Sequence, residues 1–143
     1  MAQFRKTLYI ILIVLTIFLA LTALEGGVQL LEGTYAPPVE MLNGSIFKDY
    51  TVPGLALGLV VGGSAILAAV LLIRKSEFSI LFATAAGVVI MSFEFVQVLA
   101  IGSPAGIARN LQILFFSTGT AIIVVSMGIW FLDLQSNRER IAL

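Results

Sequence analysis

Four stretches of this chain, Thr7–Leu24, Val52–Ile73, Phe78–Ile101 and Leu111–Leu132, are long apolar runs that together contain a single Asp, Glu, Lys or Arg, namely Glu94. A helix of about 20 residues, rising about 1.5 Å per residue, crosses a hydrocarbon core of about 30 Å. Each run is long enough to do so. Residues of the hydrophobic set make up 59% of the chain and charged residues 11%, whereas soluble domains carry roughly 25% charged residues. The polar surface that would cover a water-soluble core is missing, so the solvent for most of this chain is lipid.

The expected fold is therefore all-α, an integral membrane four-helix bundle forming one transmembrane domain over 1–143. Its helices are placed at about 7–30, 52–74, 77–101 and 109–133. Arg5 and Lys6 ahead of the first run fit the start of a cleaved signal peptide, but the run is long and its end, LTALEGG, lacks a small-x-small cleavage site. It is read as a retained first helix. The connection at about 31–51 carries Pro37-Pro38, which cannot continue a helix. The other loops are tight, which makes neighbouring helices antiparallel. With the N-terminus inside, Arg5, Lys6, Arg74, Lys75, Arg138 and Arg140 are cytoplasmic, and only Lys48 and Arg109 lie outside. That bias predicts N-in/C-in topology with one external loop. The loop is acidic, with Glu32, Glu40 and Asp49 read as a solvated face, and it holds an Asn43-Gly44-Ser45 glycosylation sequon.

What is missing narrows the chemistry. The chain has no cysteine and no histidine, so disulfide exchange, thiol relays and the usual haem, zinc and copper ligation lack their side chains. No covalent or His/Cys-ligated cofactor and no metal site is expected, although lipid, quinone or carotenoid could bind between helices without a motif. The formal net charge is zero, which offers no field for nucleic acid. No serine or threonine has a visible base, and no catalytic residue is assigned.

Two sets of residues stand out. Gly54, Gly58 and Gly62 recur at every fourth position of the second run, and Ala83 and Gly87 repeat that spacing in the third. Stripes of small residues let helix backbones approach in lipid, where hydrophobicity does not drive association. This stripe is read as packing, either at the centre of the bundle or at an oligomer contact. The second set is polar. Glu94 lies about 12 Å along its helix from Gly102, with Gln97 on the same face. Glu25 and Gln29 stand near the outer end of the first helix, and Arg109 and Gln112 open the fourth, so these six side chains fall at one depth. An intramembrane acid is costly and often marks a substrate or proton pathway. The preferred reading is a structural network, with Glu94 bonded to Gln97, Gln112 or Glu25 or paired with Arg109. A faint echo between GGVQLLEG (Gly26–Gly33) and EFVQVLAIG (Glu94–Gly102) fits a duplicated helical hairpin.

The segment FKDYTVPGLALGLVVGG (Phe47–Gly63), followed by SFEFVQVLAIG and LQILFF (Leu111–Phe116), resembles a broad group of small, uncharacterised prokaryotic four-helix membrane proteins. These share a Pro-Gly-Leu start to helix 2 and a Val-Gln pair late in helix 3. Where the group carries Trp ahead of that pair, this chain has Phe93. The resemblance implies the topology and no activity.

The function expected first is a non-enzymatic accessory or scaffold subunit of a larger complex in the cell (plasma) membrane, in contact with lipid and with other membrane subunits or copies of itself. The alternative is a small oligomeric transporter or ion channel, with Glu94 as its titratable carboxyl. A lipid-directed enzyme using Glu25 and Glu94 would need the two carboxyls within about 5–10 Å, and it ranks last.

Overall fold

The computed structural model describes residues 1–143, and all of its regular secondary structure is helical. Four helices, Ala2–Glu32, Thr51–Ile73, Ser79–Ile101 and Ile107–Ala142, are long and apolar enough to cross a membrane. They pack as an antiparallel bundle, which puts both termini and the tight turn at Arg74–Phe78 at one end. The long connection and the Gly102–Gly106 turn lie at the other, here called the loop end.

The outer helices exceed the apolar runs. The first starts at Ala2, and the fourth continues past Asp133 through Arg138, Glu139 and Arg140. The fourth has 36 residues, or about 54 Å at about 1.5 Å each, more than a hydrocarbon core of about 30 Å requires. Hydropathy marks where a helix can sit in lipid, and good helix formers carry it further. The extensions are tied together. Arg5 donates to both carboxylate oxygens of Asp133, from Nε at 2.6 Å and Nη2 at 3.1 Å. Its guanidinium also stands 5.7 Å from the Tyr9 ring centre. The Tyr9 hydroxyl donates to the Leu72 carbonyl at 2.9 Å and lies 3.2 Å from Ser79 Oγ, linking the first helix to the turn between the second and third.

The second helix is not uniform. Residues Ala56–Val61 adopt π-helical geometry between two α-helical parts. A π segment accommodates one extra residue in a helical turn, and such segments recur at functional sites. Nothing in the periodicity of the sequence anticipates it.

Small residues line much of the interior, around large ones such as Leu19, Ile90 and Ile122, and many large apolar side chains face outward. Ala20, Ala23, Ala65, Ala68, Ala83 and Ala86 are buried, while Val14, Leu59, Phe95, Leu99 and Trp130 are exposed. A water-soluble bundle does the reverse. In lipid, where outward apolar side chains cost nothing, close backbone approach is the main source of packing energy.

The glycines show that approach directly. A methyl group built on Gly27 would stand 2.7 Å from the Gly58 α-carbon and 2.8 Å from the Gly54 carbonyl oxygen. Gly54 and Gly62 meet Leu31 and Leu24 of the same first helix. The stripe is thus filled from within the chain. The third helix does likewise with the fourth, since a methyl on Gly87 would lie 3.0 Å from the Gly119 carbonyl oxygen. Ala83 is fully buried in the core. The bundle is two glycine-pinned pairs, first with second and third with fourth.

Candidate functional site: a buried carboxyl in a cavity at the loop end

Between the two pairs, at the loop end, lies a cavity of about 220 Å³ that all four helices line. The first helix contributes Thr22, Glu25 and Gln29, and the third contributes Phe93, Glu94 and Gln97. Spacing explains these sets, because positions three and four apart share a helix face. Leu57, from the π segment, and Phe115, from the fourth helix, supply apolar wall. The connection after the first helix folds back, bringing Tyr35 and Pro37 to the same cavity. Gly33, at φ 75°, ends the first helix in the left-handed conformation that starts this reversal.

Glu94 is the unusual member. It is 2% exposed, and neither carboxyl oxygen has a hydrogen-bond partner in the protein. Buried polar groups are nearly always paired, so an orphan of this kind calls for an explanation. The expected network around it is absent. Arg109 does not reach down to it, and instead donates from Nε and Nη2 to the Ser103 carbonyl, at 3.1 and 2.6 Å. Gln112 is buried, but its amide donates to the Gly102 carbonyl at 3.0 Å and its Oε1 is unpartnered. Both side chains satisfy backbone carbonyls left open by the tight turn. Gln29 donates to Glu25 Oε1 at 3.1 Å, one turn away on the exposed side of the first helix.

Of the six polar residues placed at one depth, Glu25, Gln29, Glu94 and Gln97 share the cavity, and Arg109 and Gln112 cap the neighbouring turn. The two glutamines of the sequence echo, Gln29 and Gln97, thus face one cavity from opposite pairs. Thr22 was legible, three residues before Glu25 on the same face. Tyr35 and Pro37 were not, because their place depends on how the connection folds.

The connection has its own order. Tyr50 is buried and its hydroxyl donates to the Pro38 carbonyl at 3.5 Å. Burial, with Glu40 nearby, raises the pKa of that phenol. The Thr51 N–H donates to Asp49 Oδ1 at 2.9 Å, which holds the Asp49 carboxyl below the usual range and opens the second helix.

Leu19, Ile90 and Ile122, fully buried, belong to the core on the termini side of the cavity residues. No group of three or more Asp, Glu, His or Cys side chains is placed to hold a metal ion. No family model matches the chain, and no curated protein or solved structure matches it either.

Proposed function

We propose that this chain is a non-enzymatic, multi-pass protein of the plasma membrane, with both termini in the cytoplasm, that carries a cation or proton on Glu94 as a small transporter. One observation supports this above all: a carboxyl that is almost wholly buried, unpartnered, and part of the wall of a cavity. A buried side chain kept for structure usually has at least one hydrogen-bond partner, as Gln112 does, whereas Glu94 has none. An acid on an intramembrane pathway must leave its oxygens for the passing ligand. The site also lies between two helix pairs, as in transporters that work by moving one half against the other. Passage toward the termini would meet the packed core residues Leu19, Ile90 and Ile122.

The test is flux in liposomes containing the purified protein, with Glu94→Gln as the comparison. Loss of flux with the thermal midpoint kept is the expected result. Unchanged flux, or a lowered midpoint in a protein that carries no flux, would make the carboxyl structural.

A second reading, an accessory or scaffold subunit of a larger membrane complex, draws on the exposed, charged end of the fourth helix at Arg138, Glu139 and Arg140. The glycine stripe does not add to it, because the first helix already covers Gly54, Gly58 and Gly62. Extraction in mild detergent separates the two readings. Stoichiometric co-migration with a larger assembly supports the subunit, and migration alone or as a homo-oligomer removes it.

A further inference from the structure

The ligand that suits this cavity can be narrowed by what its walls lack and what they offer. Glu94 presents two acceptor oxygens and no donor reaches them, so a ligand that satisfies them must bring N–H or O–H groups of its own. A ligand that holds the buried carboxyl ionised must also bring the positive charge. The two basic residues at the loop end are engaged or outside, since Arg109 is tied to the Ser103 carbonyl and Lys48 is exposed and not part of the cavity wall. Glu25, exposed and also on that wall, adds a second acid that draws cations inward.

The rest of the wall is mixed. Thr22, Glu25, Gln29, Tyr35 and Gln97 bring side-chain oxygens to it, and Leu57, Phe93, Leu114 and Phe115 give it an apolar surface that a bare ion would leave unused. No cluster of three acidic or other metal-ligating side chains exists in the chain. The volume of about 220 Å³ exceeds the roughly 150 Å³ of an apolar cavity that admits benzene. A ring and a short chain fit. Phe93 and Phe115 add aromatic wall against which an apolar body can pack.

We propose that the site takes a protonated primary or secondary amine with a ring-sized apolar body, its ammonium hydrogen-bonded to Glu94 and its body against the two phenylalanines and Leu57. This rests on the carrier reading of Glu94 and names the chemical class that it carries. Quaternary ammonium ions lack the N–H donors and bind more weakly. Neutral analogues of the same shape lack the charge.

The probe is radiolabelled 2-phenylethylamine, measured by equilibrium dialysis against the full chain in lipid nanodiscs, with protein-free nanodiscs subtracted. Saturable binding is expected, weakened about tenfold or more in Glu94→Gln. Excess 2-phenylethanol, tetraethylammonium or sodium should displace little of it. Ala108→Phe, which fills the cavity from the fourth helix and leaves the carboxyl in place, should also weaken binding, and it serves if Glu94→Gln does not fold. Absence of saturable binding overturns the proposal. So does binding that both variants leave intact, or that 2-phenylethanol, tetraethylammonium or sodium displaces as readily as the amine itself. Glu94-dependent proton or sodium flux without amine binding would retain the carrier reading and remove this one. Amine binding without any flux would do the opposite.

Discussion

At Gly27 the first helix has no room for a methyl group, because the atoms it would meet are backbone: the Gly58 α-carbon at 2.7 Å and the Gly54 carbonyl at 2.8 Å. Backbone cannot rotate aside as a side chain can. Gly27→Ala should therefore push the first two helices apart and cost about 1–3 kcal/mol, more than the roughly 1 kcal/mol that alanine gains over glycine in a helix. The reverse change is mild. A methyl on Gly58 meets only the Gly27 α-carbon, at 3.8 Å, so Gly58→Ala should leave the thermal midpoint in detergent unchanged or slightly raised. Equal effects of the two variants would contradict the packing described. Glu94 shows the opposite imbalance, a group whose retention weakens the fold. Replacing this orphaned carboxyl with leucine should raise stability by about 1–3 kcal/mol in the same assay, together with loss of flux and amine binding. A fall in stability would mean that the carboxyl has a structural partner.

The four helices were legible because apolar runs of this length leave little else for the chain to do in lipid. Their partners were less so. Spacing at every fourth residue shows that Gly54, Gly58 and Gly62 share a face, but not which helix covers it. The clue lay in the first helix, where Ala23 and Gly27 repeat the small-residue spacing and both are buried. The π segment at Ala56–Val61 has no counterpart in composition, and it contains Gly58 of the contact with Gly27. Arg109 and Gln112 are expected beside Glu94, but the structure gives them backbone acceptors at the adjacent turn. Glu94 is distant and costly to approach, whereas the Gly102 and Ser103 carbonyls at the adjacent turn are near and unmet. Local backbone demand wins. Where the outer helices extend past the lipid-sized runs, the Arg5–Asp133 pair joins them across their exposed ends, at 43% and 40% side-chain exposure. Exposed pairs contribute about 0.2–1 kcal/mol. Asp133→Asn should lower stability by no more than that, and the difference should shrink as salt is raised. A larger, salt-independent loss would indicate that the pair holds the bundle together.

For the whole molecule, the orientation expected from the basic residues can be tested by labelling, because the chain has no cysteine of its own. Ile46 and Ile141 are 90% and 86% exposed, at opposite ends of the bundle. In intact cells a membrane-impermeant maleimide should modify Ile46→Cys, and Ile141→Cys only after permeabilisation. The reverse pattern would invert the molecule and turn the cavity toward the cytoplasm. The two glycine crossings also set the mechanics of the bundle, because they lie at different heights. In the first pair the crossing at Gly27 is close to the loop end. Its long arm points toward the termini, where the Tyr9 and Arg5 bonds fasten it. In the second pair the crossing at Gly87 and Gly119 is deeper. The arm from Gly87 to Ile101 extends about 20 Å toward the loop end, and no side-chain hydrogen bond ties it to the first pair there. Treated as a lever on that fulcrum, a tilt of about five degrees moves its tip by roughly 2 Å and Glu94, halfway along, by roughly 1 Å. The arm held by side-chain hydrogen bonds and the arm held by packing alone thus point to opposite ends of the molecule, and the second carries the carboxyl.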